Sequence, residues 1–227
     1  MDSSSQMGGT VGTGGSLARF TIAGNFLYTV DASKLTTYDI SNPANPVITN
    51  TQNVGFEIET IFPFSDRLFI GSTSVIHIFS IANPAQPQKL SEAISPTVMR
   101  RCDPVVAKDT VAFATLRSNG ECGGVVSVLA VFDIKNITKP VQTKAITMNT
   151  PYGLGYADTV LYVCDGGLQV FNIKNAHNPK LEKTLPSTDT FFDVIPYGNL
   201  LFCWTIKGAN VYDITNRINP VKLAEVL

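Results

Sequence analysis

Charge is scarce in this 227-residue chain. Lys, Arg, Asp and Glu together make up 15% of it, against about 25% in a typical soluble protein. The signs nearly cancel, with 17 basic and 18 acidic residues. No Lys/Arg stripe is present to follow a phosphate backbone, so nucleic acid is not an expected partner. Arg100 and Arg101 form the densest basic spot, and two adjacent arginines are ordinary solvated charge at a strand end. Histidine occurs only twice. No Cys/His spacing fits zinc, and no G-x-S-x-G elbow is present. The Gly8–Gly15 run does not join a strand to a helix, so it is not a phosphate loop. Neither a metal nor a cofactor is expected. No apolar run approaches the roughly 20 residues that span a bilayer, so no transmembrane segment is expected. Residues 1–16 (MDSSSQMGGTVGTGGS) lack the basic start and apolar core of a secretory signal. Their composition is that of a flexible linker.

What is present is repetition. Five segments share one pattern: Tyr38–Pro46 (YDISNPANP), Phe79–Pro87 (FSIANPAQP), Phe132–Pro140 (FDIKNITKP), Phe171–Pro179 (FNIKNAHNP) and Tyr212–Pro220 (YDITNRINP). Their closing prolines lie 41, 53, 39 and 41 residues apart. The aromatic residue and the Ile two places on alternate with period two, so they share one face of a strand. The Asn and Pro that follow end it, because Asn satisfies local backbone groups and Pro cannot donate to a ladder. The opposite face carries Thr37, Ile78, Val131, Val170 and Val211. A strand that is apolar on both faces must be covered on both. A second strand precedes each copy: Leu27–Val30, Leu68–Gly71, Ala112–Thr115, Leu161–Cys164 and Leu201–Trp204. Turn pairs stand before these at Gly24–Asn25, Ser65–Asp66, Lys108–Asp109, Ala157–Asp158 and Gly198–Asn199. A first strand lies upstream, as at Arg19–Ile22, and a fourth follows the last proline, as at Val47–Thr49. Four short antiparallel strands per forty-residue unit predict an all-β fold, a β-propeller of five four-stranded blades. The expected bounds are 1–16 for the linker and 17–227 for the propeller. The repeats fall at about 17–54, 55–95, 96–149, 150–187 and 188–227.

The pattern L-Y-[VT]-x-D followed by V-x-D-I-S-N-P-x-x-P resembles the LVIVD-repeat proteins, which are bacterial β-propellers. Ser16–Ile22, Ile58–Pro63, Cys102–Val106, Pro151–Gly155 and Asp193–Pro196 resemble the surface or periplasmic lipoprotein branch of Bacteroidetes. The resemblance covers about residues 16–227. It implies an exported protein of the periplasm, outer membrane or cell surface, and no defined activity. Relatives of this kind are often longer, with a lipid anchor and further repeats ahead of the equivalent of Leu17. Two architectures follow: a closed five-blade ring, or an arc of a larger propeller whose end blades are exposed edges.

Few residues stand outside the repeat. Cys102 opens the first strand of repeat three, and Cys122 lies in a loop special to that repeat. With export implied by the resemblance, Cys102–Cys122 is a disulfide candidate closing a loop of about 20 residues; two free thiols are the alternative. Cys164 and Cys203 sit one position out of register in second strands, face opposite sides of their sheets, and read as buried thiols. His77, in a third strand, reads as structural, and His177, in a turn, as solvent-facing. Arg19, Glu59, Asp103 and Asp193 fall at the start of first strands, with Tyr152 and Phe192 nearby. First strands line a propeller's channel, so these side chains are expected near one rim. There they grip a small polar or carbohydrate ligand or a partner protein's loop, or they pair with one another to hold the blades together. Function is thus expected to be a non-enzymatic binding or scaffold module. The alternatives are a hydrolase or lyase acting on carbohydrate or peptide, with Asp103 and Glu59 as acid and base, and a partial chain of a larger propeller.

Overall fold

The structure is a computed structural model and describes residues 15–73, 75–96, 104–118 and 126–226. Among these residues there are twenty strands in five four-stranded antiparallel sheets, each ordered as the chain runs. Blade 1 is β1 (Phe20–Ala23), β2 (Phe26–Val30), β3 (Lys34–Asp39) and β4 (Val47–Asn53). Blade 2 is β5 (Ile58–Phe64), β6 (Arg67–Ser72), β7 (Val75–Ser80) and β8 (Gln88–Ile94). Blade 3 is β9 (Val105–Lys108), β10 (Val111–Leu116), β11 (Ser127–Asp133) and β12 (Val141–Met148). Blade 4 is β13 (Leu154–Ala157), β14 (Val160–Cys164), β15 (Gly167–Asn172) and β16 (Lys180–Pro186). Blade 5 is β17 (Phe191–Tyr197), β18 (Leu200–Thr205), β19 (Gly208–Asp213) and β20 (Val221–Val226). Every repeat supplies all four strands of its own blade. No helix among the described residues is long and apolar enough to cross a membrane.

The repeated turn has one chemistry. In each copy the turn Asn carbonyl accepts the N–H three residues on, as in Asn45 to Asn42 at 3.0 Å and Asn219 to Asn216 at 3.0 Å. The polar residue before the Ile caps the same turn: Asp39, Asp133, Asn172 and Asp213 each accept the backbone N–H two residues later. The Ile itself donates its N–H to the first hairpin, 2.8 Å from Ile40 to the Asn25 carbonyl and equally in the other four copies. Those hairpins have two-residue loops whose first residue takes a positive φ, from 53° to 58°, at Gly24, Ser65, Asp109, Asp158 and Gly198. In blades 3 and 4 the loop is therefore Asp109–Thr110 and Asp158–Thr159, one residue later than the sequence pattern indicates. The left-handed position selects the residue that tolerates it, and Asp does so better than Lys or Ala.

Between blades, one rule recurs. The β2-type aromatic and the β3-type residue beside it point forward, onto the Leu or Ala, the aromatic and the Ile of the next blade. Tyr28 packs with Leu68, Phe79 and Ile81. Phe69 and Ile78 pack with Ala112, Phe132 and Ile134. Phe113 and Val131 meet Leu161, Phe171 and Ile173, and Tyr162 and Val170 meet Leu201, Tyr212 and Ile214. Each forward-pointing aromatic in blades 1–4 is wholly buried. Two of them also donate a phenolic O–H to the next blade's turn: Tyr28 to the Pro84 carbonyl at 2.9 Å and Tyr162 to the Arg217 carbonyl at 2.7 Å.

The series stops at its ends. On blade 5 the forward-pointing Phe202 and Val211 are only half-buried, and Trp204 is 47% exposed. On blade 1 the backward-pointing Leu27, Tyr38 and Ile40 are half-buried, although their counterparts elsewhere are buried. The two end blades do not cover one another, so the five blades form an arc and not a closed ring. What links them is the strand-free lead-in. Ser16, which composition alone assigns to a linker, is buried and reaches blades 4 and 5.

Candidate functional site

The lead-in crosses the axis near the rim where first strands begin. Ser16 donates its hydroxyl to Asp193 Oδ1 at 2.9 Å and accepts the Leu154 N–H at 2.8 Å. Leu17 N–H donates to Asp193 Oδ2 at 3.2 Å, and the Ala18 carbonyl accepts the Ile61 N–H at 2.8 Å. Blades 2, 4 and 5 are thereby tied to one short segment. Beneath it lies an axial cavity of about 360 Å³ to which all five blades contribute, with Thr21, Phe62, Val106, Leu154 and Val194 in its wall. Asp193 is buried, and burial pushes its carboxyl up to about 6 against the lowering effect of the Leu17, Ser16 and Val194 donors. Its oxygens are committed to these bonds, so Asp193 holds the arc together.

The other rim residues face outward. The first strand carries an extra residue in blades 2 and 5, where the register shifts between Ile58 and Thr60 and between Phe191 and Asp193. The extra residues are Glu59 and Phe192, both half-buried between buried neighbours. A bulge of this kind re-aims a side chain that regular alternation would hold elsewhere. Burial raises the Glu59 carboxyl above the ordinary range, while Arg19 and Arg117 pull it down. Arg117 follows directly on β10, and its guanidinium carbon lies 4.2 Å from the Tyr152 ring centroid. Tyr152 meets Phe192 edge to face, with centroids 5.2 Å apart. Tyr152 is fixed at both backbone groups, its N–H donating to the Cys164 carbonyl at 2.8 Å and its carbonyl accepting the Thr115 hydroxyl at 2.5 Å.

Thus Arg19, Glu59 and Tyr152 come together at one rim with Phe192, while Asp193 turns inward to the lead-in. Asp103 lies outside the described residues, as do Cys102 and Cys122. Arg117 completes the group and is missing from the sequence-based set, because a lone Arg after a strand carries no pattern. Beside Tyr152 a polar cleft of about 250 Å³ opens between blades 4 and 5, lined by Asn149, Thr150, Asp165, Ser187, Asp189 and Thr190 among others. Asp165 is buried and accepts the Asn149 and Thr150 N–H groups at 3.1 and 2.7 Å, which sets the cleft wall.

The remaining polar candidates are structural. His77 is buried, with Nδ1 3.1 Å from Glu92 Oε1, and Glu92 also takes the Lys89 ammonium at 2.6 Å. His177 is exposed. Cys164 and Cys203 are buried free thiols. Facing opposite sides of consecutive blades, they meet in the one core between blades 4 and 5. Burial pushes the Cys203 thiol up to about 12. No group of three or more His, Cys, Asp or Glu side chains among the described residues is arranged to hold a metal.

Comparison with known proteins agrees with this architecture. The profile of the LVIVD repeat matches residues 14–53, which are the lead-in and blade 1. No curated protein sequence matches significantly. Among solved structures, a protein from Lactobacillus plantarum is similar over 88% of this chain and 67% of its own, at 14% identity and a TM-score of 0.70. The periplasmic gluconolactonase of Pseudomonas aeruginosa is similar over 89% of this chain and 67% of its own, at 12% identity and a TM-score of 0.67. The computationally designed Ika8 protein is similar over 90% of this chain, at 11% identity and a TM-score of 0.63, and the chain spans 59% of its length. At these identities the likeness is one of fold.

Proposed function

Taking the chain as an LVIVD-repeat β-propeller, we propose that it is a non-enzymatic binding or scaffold module of a bacterial cell-surface or periplasmic protein. Its partner is a carbohydrate or a polar protein loop, held at the rim formed by Arg19, Glu59, Arg117, Tyr152 and Phe192 and in the adjoining cleft. The observation that carries this reading is the Arg117–Tyr152–Phe192 cluster, whose members come from three blades. A guanidinium over one ring and a second ring set edge-on to it, beside hydroxyl and amide groups, offer both apolar contact and hydrogen bonds, as binding sites for polar ligands do. Binding is favoured over catalysis at the described rim because Asp193 is committed to the lead-in and so is not a second acid or base for Glu59. Export is supported by the sequence resemblance; the fold is also that of a periplasmic enzyme.

The test is a glycan and peptide array probed with the purified 227-residue chain and with Arg117→Ala and Tyr152→Ala. Capture by the parent and loss in both variants, at unchanged melting temperature, supports the rim. Equal capture by all three places the site elsewhere. Release of cleaved glycan or peptide from the array would replace the binding reading with the hydrolytic one.

A further inference from the structure

The cleft beside Tyr152 is built from three connections that meet above blade 4: residues 149–152 leading in, the hairpin at 165–166, and residues 187–191 leading out. Blades 4 and 5, which it joins, share a complete junction within the chain. Asp165 explains the space. Its counterpart in blade 1, Asp31, caps its own hairpin and accepts the Ser33 and Lys34 N–H groups, both at 2.7 Å. The blade 4 hairpin is one residue shorter, Cys164 pairing with Leu168 where Val30 pairs with Leu35. It turns on Gly166 and Gly167, with φ of 62° and 117°. Asp165 reaches back instead to Asn149 and Thr150. The hairpin thus gives up one residue of cover, and the incoming connection is pinned as a wall.

The cleft is lined with unused hydrogen-bonding groups. Among the described residues, the Asn149 amide and the Thr150, Thr188 and Thr190 hydroxyls make no hydrogen bond. Asp189 Oδ1 lies 3.6 Å from Lys207 Nζ. That is near enough to balance its charge and too far for a hydrogen bond, so Asp189 lacks donors and not a cation. Phe191 and Tyr152 supply apolar surface. The cleft volume, about 250 Å³, lies below the range of about 300–1,000 Å³ for drug-sized ligands. It suits one ring-sized group and not a length of polymer.

We infer that this cleft takes one neutral sugar residue at the end of a glycan, with a vicinal pair of its hydroxyls donating to the Asp189 carboxylate. A carboxylate accepts two O–H donors at once, and such charge-assisted bonds are the strong ones. The threonine hydroxyls and the Asn149 amide serve the other sugar hydroxyls, and the two rings its C–H surface. An anionic sugar would set a further carboxylate beside Asp189 and Asp165. The inference rests on the reading of the chain as a binding module, and it narrows the ligand to neutral carbohydrate.

The experiment is an array of glycans ending in glucose, galactose or mannose, the matched uronate-terminated glycans, and acidic and basic peptides. It is probed with the purified chain and with Asp189→Asn, Thr190→Val and Arg117→Ala, each checked for an unchanged melting temperature. Capture of a neutral glycan is expected, competed by its free methyl glycoside. The matched uronate should bind about tenfold more weakly, and Asp189→Asn should lose about tenfold in affinity. Thr190→Val should weaken the same capture by less. Neutral-glycan capture that both cleft variants leave unchanged overturns the inference; if Arg117→Ala abolishes that capture, the rim reading stands without the cleft. Preference for uronates or peptides overturns the neutral-sugar assignment and leaves a binding module. Absence of capture of every probe overturns both.

Discussion

Ser16 and Asp193 are separated by 177 positions in sequence and by 2.9 Å in space. The hydroxyl between the Asp193 carboxylate and the Leu154 N–H serves as donor and acceptor at once, and both bonds are buried. Ser16→Ala removes both bonds and strands a buried donor. The expected cost is about 1–3 kcal/mol, read as a lower midpoint in urea unfolding.

Asp193 also makes stability depend on pH. Its carboxyl is raised from 3.8 to about 6 by burial, so between these values the folded protein binds more protons than the unfolded one. The contribution to stability is fully present below about pH 4 and is lost as pH rises through 6. A shift of this size corresponds to about 3 kcal/mol. Asp193→Asn is expected to flatten that loss. Thermal unfolding of both proteins from about pH 4 to pH 7.5 checks it, and equal slopes would disprove it.

His77 has the opposite sign. Burial lowers its pKa from 6.5, the Lys89 ammonium adds to this, and Glu92 opposes it. The unfolded chain binds the proton more readily, so the stability due to neutral His77 is present above about pH 6.5 and is lost as pH falls. His77→Gln is expected to lose less stability than the parent between about pH 7 and pH 5 in the same unfolding series.

Two glycines should respond differently to one methyl group. A Cβ on Gly153 would lie 2.2 Å from Asp193 Oδ1 and 2.8 Å from its Cα. The second contact is backbone and cannot swing away. Gly153→Ala is expected to cost about 2–4 kcal/mol. Gly24 has φ +58° and open space around it, so Gly24→Ala carries only the left-handed penalty, about 1–2 kcal/mol. Chemical denaturation of the two variants side by side gives the ranking.

The Tyr28 and Tyr162 hydroxyls each bind a turn carbonyl of the next blade, where blades 2 and 3 carry Phe69 and Phe113. Tyr28→Phe and Tyr162→Phe are expected to fold and to lose about 1 kcal/mol each. The losses should add, since the sites lie in separate junctions. A double variant measured by urea unfolding tests this.

The blades were legible because their signal is local and occurs five times. The strand–turn pattern from Tyr38 to Pro46 needs only period two and a turn that Asn and Pro can build. The rim was legible in part. Arg19, Glu59 and Tyr152 follow from the start of the first strands, but Glu59 and Phe192 owe their aim to bulges, which leave no mark in the alternation. Arg117 is visible only once Tyr152 lies beneath it. Asp193 has the same sequence context as a rim acid, and its inward role depends on a serine that looks like linker. Cys164 and Cys203 illustrate the same gap. Side-chain parity was readable for each sheet, but only stacking shows that opposite faces of consecutive sheets share one core.

A stack of blades that touch only their neighbours behaves as a one-dimensional array, in which each unit can open with little consequence for units further along. The Ser16–Asp193 link changes that behaviour. It couples the first blade to the last across the axis, so opening at either end loses a contact at the other. Fraying of β1 and of β17 becomes one concerted event, and an open-ended arc gains the cooperativity of a closed circle.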